Sequence, residues 1–259
     1  MKIYAIVNQK GGVGKTMTSV NFSIGLARQG KKVLAIDLDP QGDLTLSLGY
    51  ESPDEMTETI SKVFEHFICD DETCLDNIFL HHEENIDVIP SNIDLSGIDI
   101  SLVNTMSRET ILKQFVATIE NNYDYVVIDC SPSLGMLTIN ALACADEVII
   151  PVQPQYLSLR GMEQLFKTVN NVRKKINTKL KIGGILITMA DKRTNLTKEI
   201  IDIIHSNYNS KLRVFTSPIP ISVRASETTA EGKSIFLHEP NGKVAIAYEN
   251  MVKEVLNEV

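Results

Sequence analysis

Residues 2–8 form a short apolar run, and Met17, Val20, Ile24 and Ala27 then recur at three- and four-residue spacing before Gly30. Between the two stands Lys10-Gly11-Gly12-Val13-Gly14-Lys15-Thr16. Strand, glycine-rich loop and helix in that order restrict the local geometry severely. The glycines let the backbone turn inward, so that several N–H groups and the helix N-terminus face one point, an arrangement suited to an anion. The run is a variant of the phosphate-loop pattern that carries an additional lysine, Lys10, ahead of its glycines. In that pattern Lys15 reaches the β- and γ-phosphates of a nucleotide and the Thr16 hydroxyl ligates Mg2+. Gly11, Gly12, Val13, Gly14 and Met17 complete the expected cradle.

Residues 32–38, 86–89, 125–128, 148–152 and 182–188 repeat the apolar pattern, and runs of this kind, apolar on both faces, read as strands of a parallel sheet. Helical patterns lie between them at 105–121, 136–144, 158–175 and 194–207, and an amphipathic segment at 243–259 closes the chain. The alternation predicts an α/β fold with a doubly wound, mostly parallel sheet of P-loop type and helices on both faces. A chain of 259 residues can bury a full core, and 1–259 is read as one domain. Residues 50–85 predict only short helices with irregular connections. Magnesium also asks for a carboxylate at a strand end beside the loop. Two places supply one: Asp129 closes Tyr125-Val126-Val127-Ile128, and Asp37 and Asp39 end the second strand.

Composition excludes several classes. No apolar run approaches the roughly 20 residues needed to cross a bilayer, and no signal-peptide core precedes the loop, so a cytoplasmic protein is expected. Cys69, Cys74, Cys130 and Cys144 form no Cys-x-x-Cys pair and sit in no histidine cluster, which argues against zinc and redox chemistry. The net charge of −8 is polarised. Residues 1–150 hold 9 basic and 23 acidic side chains, whereas residues 151–259 hold 16 basic and 10 acidic. Within the first half, residues 51–99 carry 14 carboxylates against the single basic residue Lys62, a stretch that would repel nucleic acid. Any surface for phosphodiesters belongs to the C-terminal half.

Four stretches resemble the ParA/Soj branch of the deviant Walker A ATPases, a group that also includes MinD and the nitrogenase iron protein. They are residues 10–16; Asp37-Leu38-Asp39-Pro40-Gln41-Gly42; residues 126–135; and Pro151-Val152-Gln153 before Leu159-Arg160-Gly161. The resemblance implies ATP with Mg2+ as cofactors. It implies that Lys10 reaches across an ATP-bound homodimer to the phosphates of the other subunit, and that Asp39 orients or deprotonates the attacking water. Asp37 and Asp129 would serve the metal with Thr16, and Pro220 would pack near adenine. Arg193 and Arg224 match family positions for non-specific double-stranded DNA. The implied protein is nucleoid-associated, turns over ATP weakly by itself, and is stimulated by a ParB-type partner. Ser131 stands where the family often has proline. No helix-turn-helix segment precedes the loop, so sequence-specific DNA reading is not expected. A MinD-like positioning ATPase is the alternative, but it would carry a basic amphipathic tail for lipid. Residues 251–259 hold one lysine and two glutamates, so no membrane partner is expected. A cluster-bridging ATPase would need paired thiolates, which Cys130 and Cys144 do not supply at matching positions.

Overall fold

The computed structural model describes residues 1–69 and 75–257. Cys74 and the last two tail positions, Glu258 and Val259, lie outside the described residues. The first half of the chain runs β1 (Lys2–Ile6), α1 (Lys15–Ala27), β2 (Val33–Leu38), α2 (Asp43–Ser47), α3 (Ile60–Cys69), β3 (Leu80–His82) and β4 (Ile86–Ile89). It continues with α4 (Leu95–Ser101), α5 (Ile111–Thr118), β5 (Tyr125–Cys130), α6 (Met136–Cys144) and β6 (Glu147–Val152). Then come α7 (Tyr156–Lys175), β7 (Lys181–Ile187), α8 (Asn195–Tyr208), α9 (Val223–Glu231), α10 (Ile235–His238) and α11 (Lys243–Leu256).

The seven strands order as β3-β4-β2-β5-β1-β6-β7, all parallel except β3 against β4. Alternation along each strand sends neighbours to opposite faces. Leu34, Ile36 and Leu38 of β2 join Val126, Ile128 and Cys130 of β5 in one core with side chains of α3 and α5 to α8. Val33, Ala35, Tyr125 and Val127 join the other core, built with α1, α10 and α11. Apolar residues at every strand position are therefore needed on both sides, which is why these strands read as continuous apolar runs. The doubly wound expectation holds. β1 sits in the middle of the sheet between β5 and β6, so the loop that leaves it opens at the carboxyl edge, where ligands of such sheets bind.

The departures from expectation are local. β3 was not anticipated, because three residues carry no readable period, yet Leu80 pairs with Val88 and His82 with Ile86 at the sheet edge. The helix expected at 105–121 shrinks to α5, since Ser107 at φ 53 turns the chain left-handed just before it. α9 has no apolar stripe, so its sequence carries no helical period to read. α11 buries Val244, Tyr248, Met251, Val252 and Val255. Its apolar face is spent on the core and not offered to a lipid surface, and no described helix is long and apolar enough to cross a membrane.

Candidate nucleotide site

The turn between β1 and α1 needs left-handed backbone at Gly12 (φ 69) and Gly14 (φ 80), a conformation that is strained for any residue with a β-carbon. α1 begins at Lys15 with no side-chain cap and no acidic residue in its first turn. Its leading N–H groups and the positive end of its dipole are thus left for an external anion. They face a cleft of about 510 Å³ whose walls include Lys15, Thr16, Met17, Asp39, Pro132 and Thr229. Lys15 is buried, and its Nζ donates to the carbonyl of Lys10 at 3.4 Å. Val13 lies beneath the loop, fully buried, and its carbonyl accepts from Thr188 Oγ1 at 2.8 Å.

Parallel pairing places Asp37 directly opposite Asp129, both on the face that carries α1. Asp129 is buried and accepts from Thr16 Oγ1 and from Ser19 Oγ, each at 2.8 Å. Burial pushes its carboxyl up to about 7, while the two hydroxyls and Lys15 pull the other way. Burial first, and the Asp129 charge second, push Asp37 up to about 8. Thr16, Asp129 and Asp39 present oxygen donors only, the chemistry of a hard cation such as Mg2+. Among the described residues no group of three His, Cys, Asp or Glu side chains is placed to hold a metal without help. An ion here would complete its shell with phosphate and water oxygens.

Asp37, expected beside the metal, is held by groups of its own chain. Its Oδ2 accepts from Thr45 N–H at 2.9 Å and Thr45 Oγ1 at 2.7 Å, and its Oδ1 accepts from Asp39 N–H at 3.2 Å. A fully buried carboxylate so engaged clamps the loop from β2 to α2 and fixes Asp39, which does reach the cleft. Thr45 gave no sequence signal, because α2 is too short to show a period. Ser19 was readable in principle, since it follows Thr16 by three residues and shares its helix face.

Beside the phosphate cleft, Pro220 lines an apolar pocket of about 220 Å³ with Met17, Met189, Ile219, Ile221 and Tyr248. Gly14, Met17 and Met189 border both spaces, so the two adjoin. Met189 is a non-glycine residue at φ 50. Ser131 and Ser133 approach at 3.1 Å, and Thr138 Oγ1 donates to the Ser133 carbonyl at 2.7 Å, so hydroxyls brace the turn after Asp129. The β-bridge between Ala190 and Pro220 sets the loop of Arg193 beside the one that leads to Arg224. Both arginines are exposed. Arg193 forks onto Asp191 through two 2.8 Å bonds, and Arg224 meets Glu227 at 3.2 Å. On the acidic half, Glu51, Asp54, Glu55, Glu65, Glu83 and Asp94 are exposed, as expected of a solvated face. The structure does not describe the Arg160 side chain.

A parallel sheet wound on both sides, with a glycine loop at its carboxyl edge and carboxylates at the ends of the flanking strands, defines a P-loop nucleotide-binding protein. A family model described as an AAA domain matches residues 1–182. The sporulation initiation inhibitor protein Soj of Bacillus subtilis is 47% identical over 254 residues, 98% of each chain. The chromosome-partitioning ATPase Soj of Treponema pallidum is 38% identical, over 98% of this chain and 97% of its own. Among solved structures, cobyrinic acid a,c-diamide synthase from Mycobacterium smegmatis with bound ADP and magnesium superposes with a TM-score of 0.85 at 34% identity, covering 100% of this chain and 95% of that one. The chain belongs to the Soj/ParA family of chromosome-partitioning proteins.

Proposed function

We propose that this protein is a partition ATPase, converting ATP and water to ADP and phosphate in the presence of Mg2+. In this reading residues 1–259 act as one ATPase domain. The observation that carries it is the cleft itself, where the amides after Gly12, Lys15, Thr16 and Asp39 converge on one space. The similarity to named chromosome-partitioning proteins, at 38% and 37%, exceeds the 34% shared with the synthase, which favours partition over amide synthesis.

Backbone N–H groups and Lys15 grip the phosphates, and Met17 and Pro220 flank the adenine. Thr16 and Asp129 hold Mg2+, which when bound offsets charge on the phosphate oxygens. Asp37 keeps Asp39 in place, and Asp39 orients the attacking water and receives its proton. No arginine belongs to the described lining of the cleft. A finger of that kind is worth about 10³–10⁵ in rate in related chemistry, so turnover by the protein alone is weak. Lys10 completes the site of a second copy in an ATP-bound homodimer. Arg193 and Arg224 then hold DNA through its phosphates, without reading sequence. A ParB-type partner stimulates hydrolysis and release, and the protein works in the cytoplasm, on the nucleoid.

The test is retention on a random-sequence duplex at fixed salt with ATP, with ADP and with no nucleotide. Retention only with ATP is expected. Equal retention in all three conditions would remove the nucleotide switch from the reading.

A further inference from the structure

Lys10 stands at the head of the phosphate loop, and the segment joining β6 to α7, with the first turn of α7, offers it three acceptors. Its Nζ donates to Gln155 Oε1 at 2.6 Å, with Gln153 Oε1 at 3.4 Å and Ser158 Oγ at 3.5 Å completing the ring. The surrounding backbone is tied to the same segment. Lys10 N–H donates to Asn8 Oδ1 at 3.0 Å, and Asn8 Nδ2 donates to the Pro151 carbonyl at 2.7 Å. Gln153 is itself fixed, because its Nε2 donates to the Gly12 carbonyl and to Met189 Sδ, both at 2.8 Å, which turns its Oε1 toward the lysine. Gln153 is therefore a preorganised acceptor, and the exposed Gln155 adds the shortest contact.

A lysine engaged in this way is directed at its own chain. We infer that Gln155, backed by Gln153 and Ser158, is a berth in cis for Lys10, and that pairing of two chains is a competition between this berth and the phosphates of the other copy. The inference rests on the homodimer proposed above. Its chemistry lies in the acceptor type. Amide and hydroxyl oxygens are neutral, so they hold an ammonium less tightly than an anionic phosphate does. The berth keeps the lysine ordered in the single chain and releases it when a stronger acceptor arrives. Gln155 is on this account a positioning residue that acts through Lys10.

Swapping the acceptor in both directions tests this. Removing it, Gln155→Ala, frees Lys10 in the single chain and should tighten pairing. Charging it, Gln155→Glu, strengthens the hold and should weaken pairing. Pairing constants are read by analytical ultracentrifugation with Mg2+ and a non-hydrolysable ATP analogue, for wild type and both variants, each also in a Lys10→Ala background. ADP uptake by the single chain, measured by calorimetry, reports the nucleotide site independently. The expected result is a shift of about two- to tenfold in opposite directions for Ala and Glu, given that Gln155 is solvent-exposed. ADP affinity stays unchanged, and the difference vanishes without Lys10. Shifts in the same direction, no shift while wild type pairs normally, or a difference that survives Lys10→Ala would overturn the berth alone. A wild type that binds the analogue and never pairs would overturn the homodimer, and the berth with it.

Discussion

Replacing Thr45 by valine removes one hydroxyl and changes almost nothing in volume. That hydroxyl donates to Asp37 Oδ2 at 2.7 Å and accepts from Ser91 N–H at 3.0 Å, and Thr45, Asp37 and Ser91 are all fully buried. The variant strands the Ser91 amide, which costs about 1–3 kcal/mol whatever the pH. Its second effect depends on pH. Asp37 titrates at about 8 in the folded chain against a reference value of 3.8, so the folded state holds the proton more tightly. Its contribution to stability is complete below the reference value and is lost as pH rises from there through about 8. Thr45 lowers the folded value, so its loss raises it further and deepens the decline. The destabilisation should be about 1–3 kcal/mol at pH 6 and should grow by a further ~1 kcal/mol at pH 9, where the wild-type carboxylate is charged and uses the lost hydrogen bond. Urea unfolding of both proteins in EDTA at the two pH values measures it, and taking the difference between proteins cancels other titrations. A penalty under about 0.5 kcal/mol, or one that does not change with pH, would refute the picture of Asp37 as the clamp of the Asp39 loop.

Lys15→Ala should weaken ATP uptake in calorimetry by at least about a hundredfold, because the charge-assisted contacts to phosphate go with the ammonium. Asp39→Ala should bind ATP and accumulate as the dimer in light scattering, with phosphate release down by roughly 10²–10⁴. Joint Arg193→Glu and Arg224→Glu substitution should abolish DNA retention at fixed salt while leaving ATP-dependent dimers intact, since neither side chain lines the cleft. Burial pushes the Cys144 thiol up to about 12 and Cys130 well above its ordinary value, whereas Cys69 is exposed. Iodoacetamide at pH 8 followed by peptide mapping should therefore find Cys69 modified and both buried thiols untouched in the folded protein.

The sequence by itself determined whatever a local pattern can encode. Continuous apolar runs specified strands buried on both faces, and three- to four-residue spacing specified α1, α6 and α8. A glycine loop between strand and helix specified the phosphate cradle around Lys15 and Thr16. Only the tertiary structure decided which donors meet each carboxylate. Asp37 and Asp129 look equivalent along the chain, yet the register of β2 on β5 sets them face to face, and α2 then folds Thr45 over one of them while α1 brings Thr16 and Ser19 to the other. The same holds for Lys10, whose acceptors lie more than a hundred residues further on and meet it only because β1 and β6 are neighbours in the sheet. Periodicity reports the solvent exposure of each position. It carries no information on which distant hydrogen-bond donors will satisfy a buried charge.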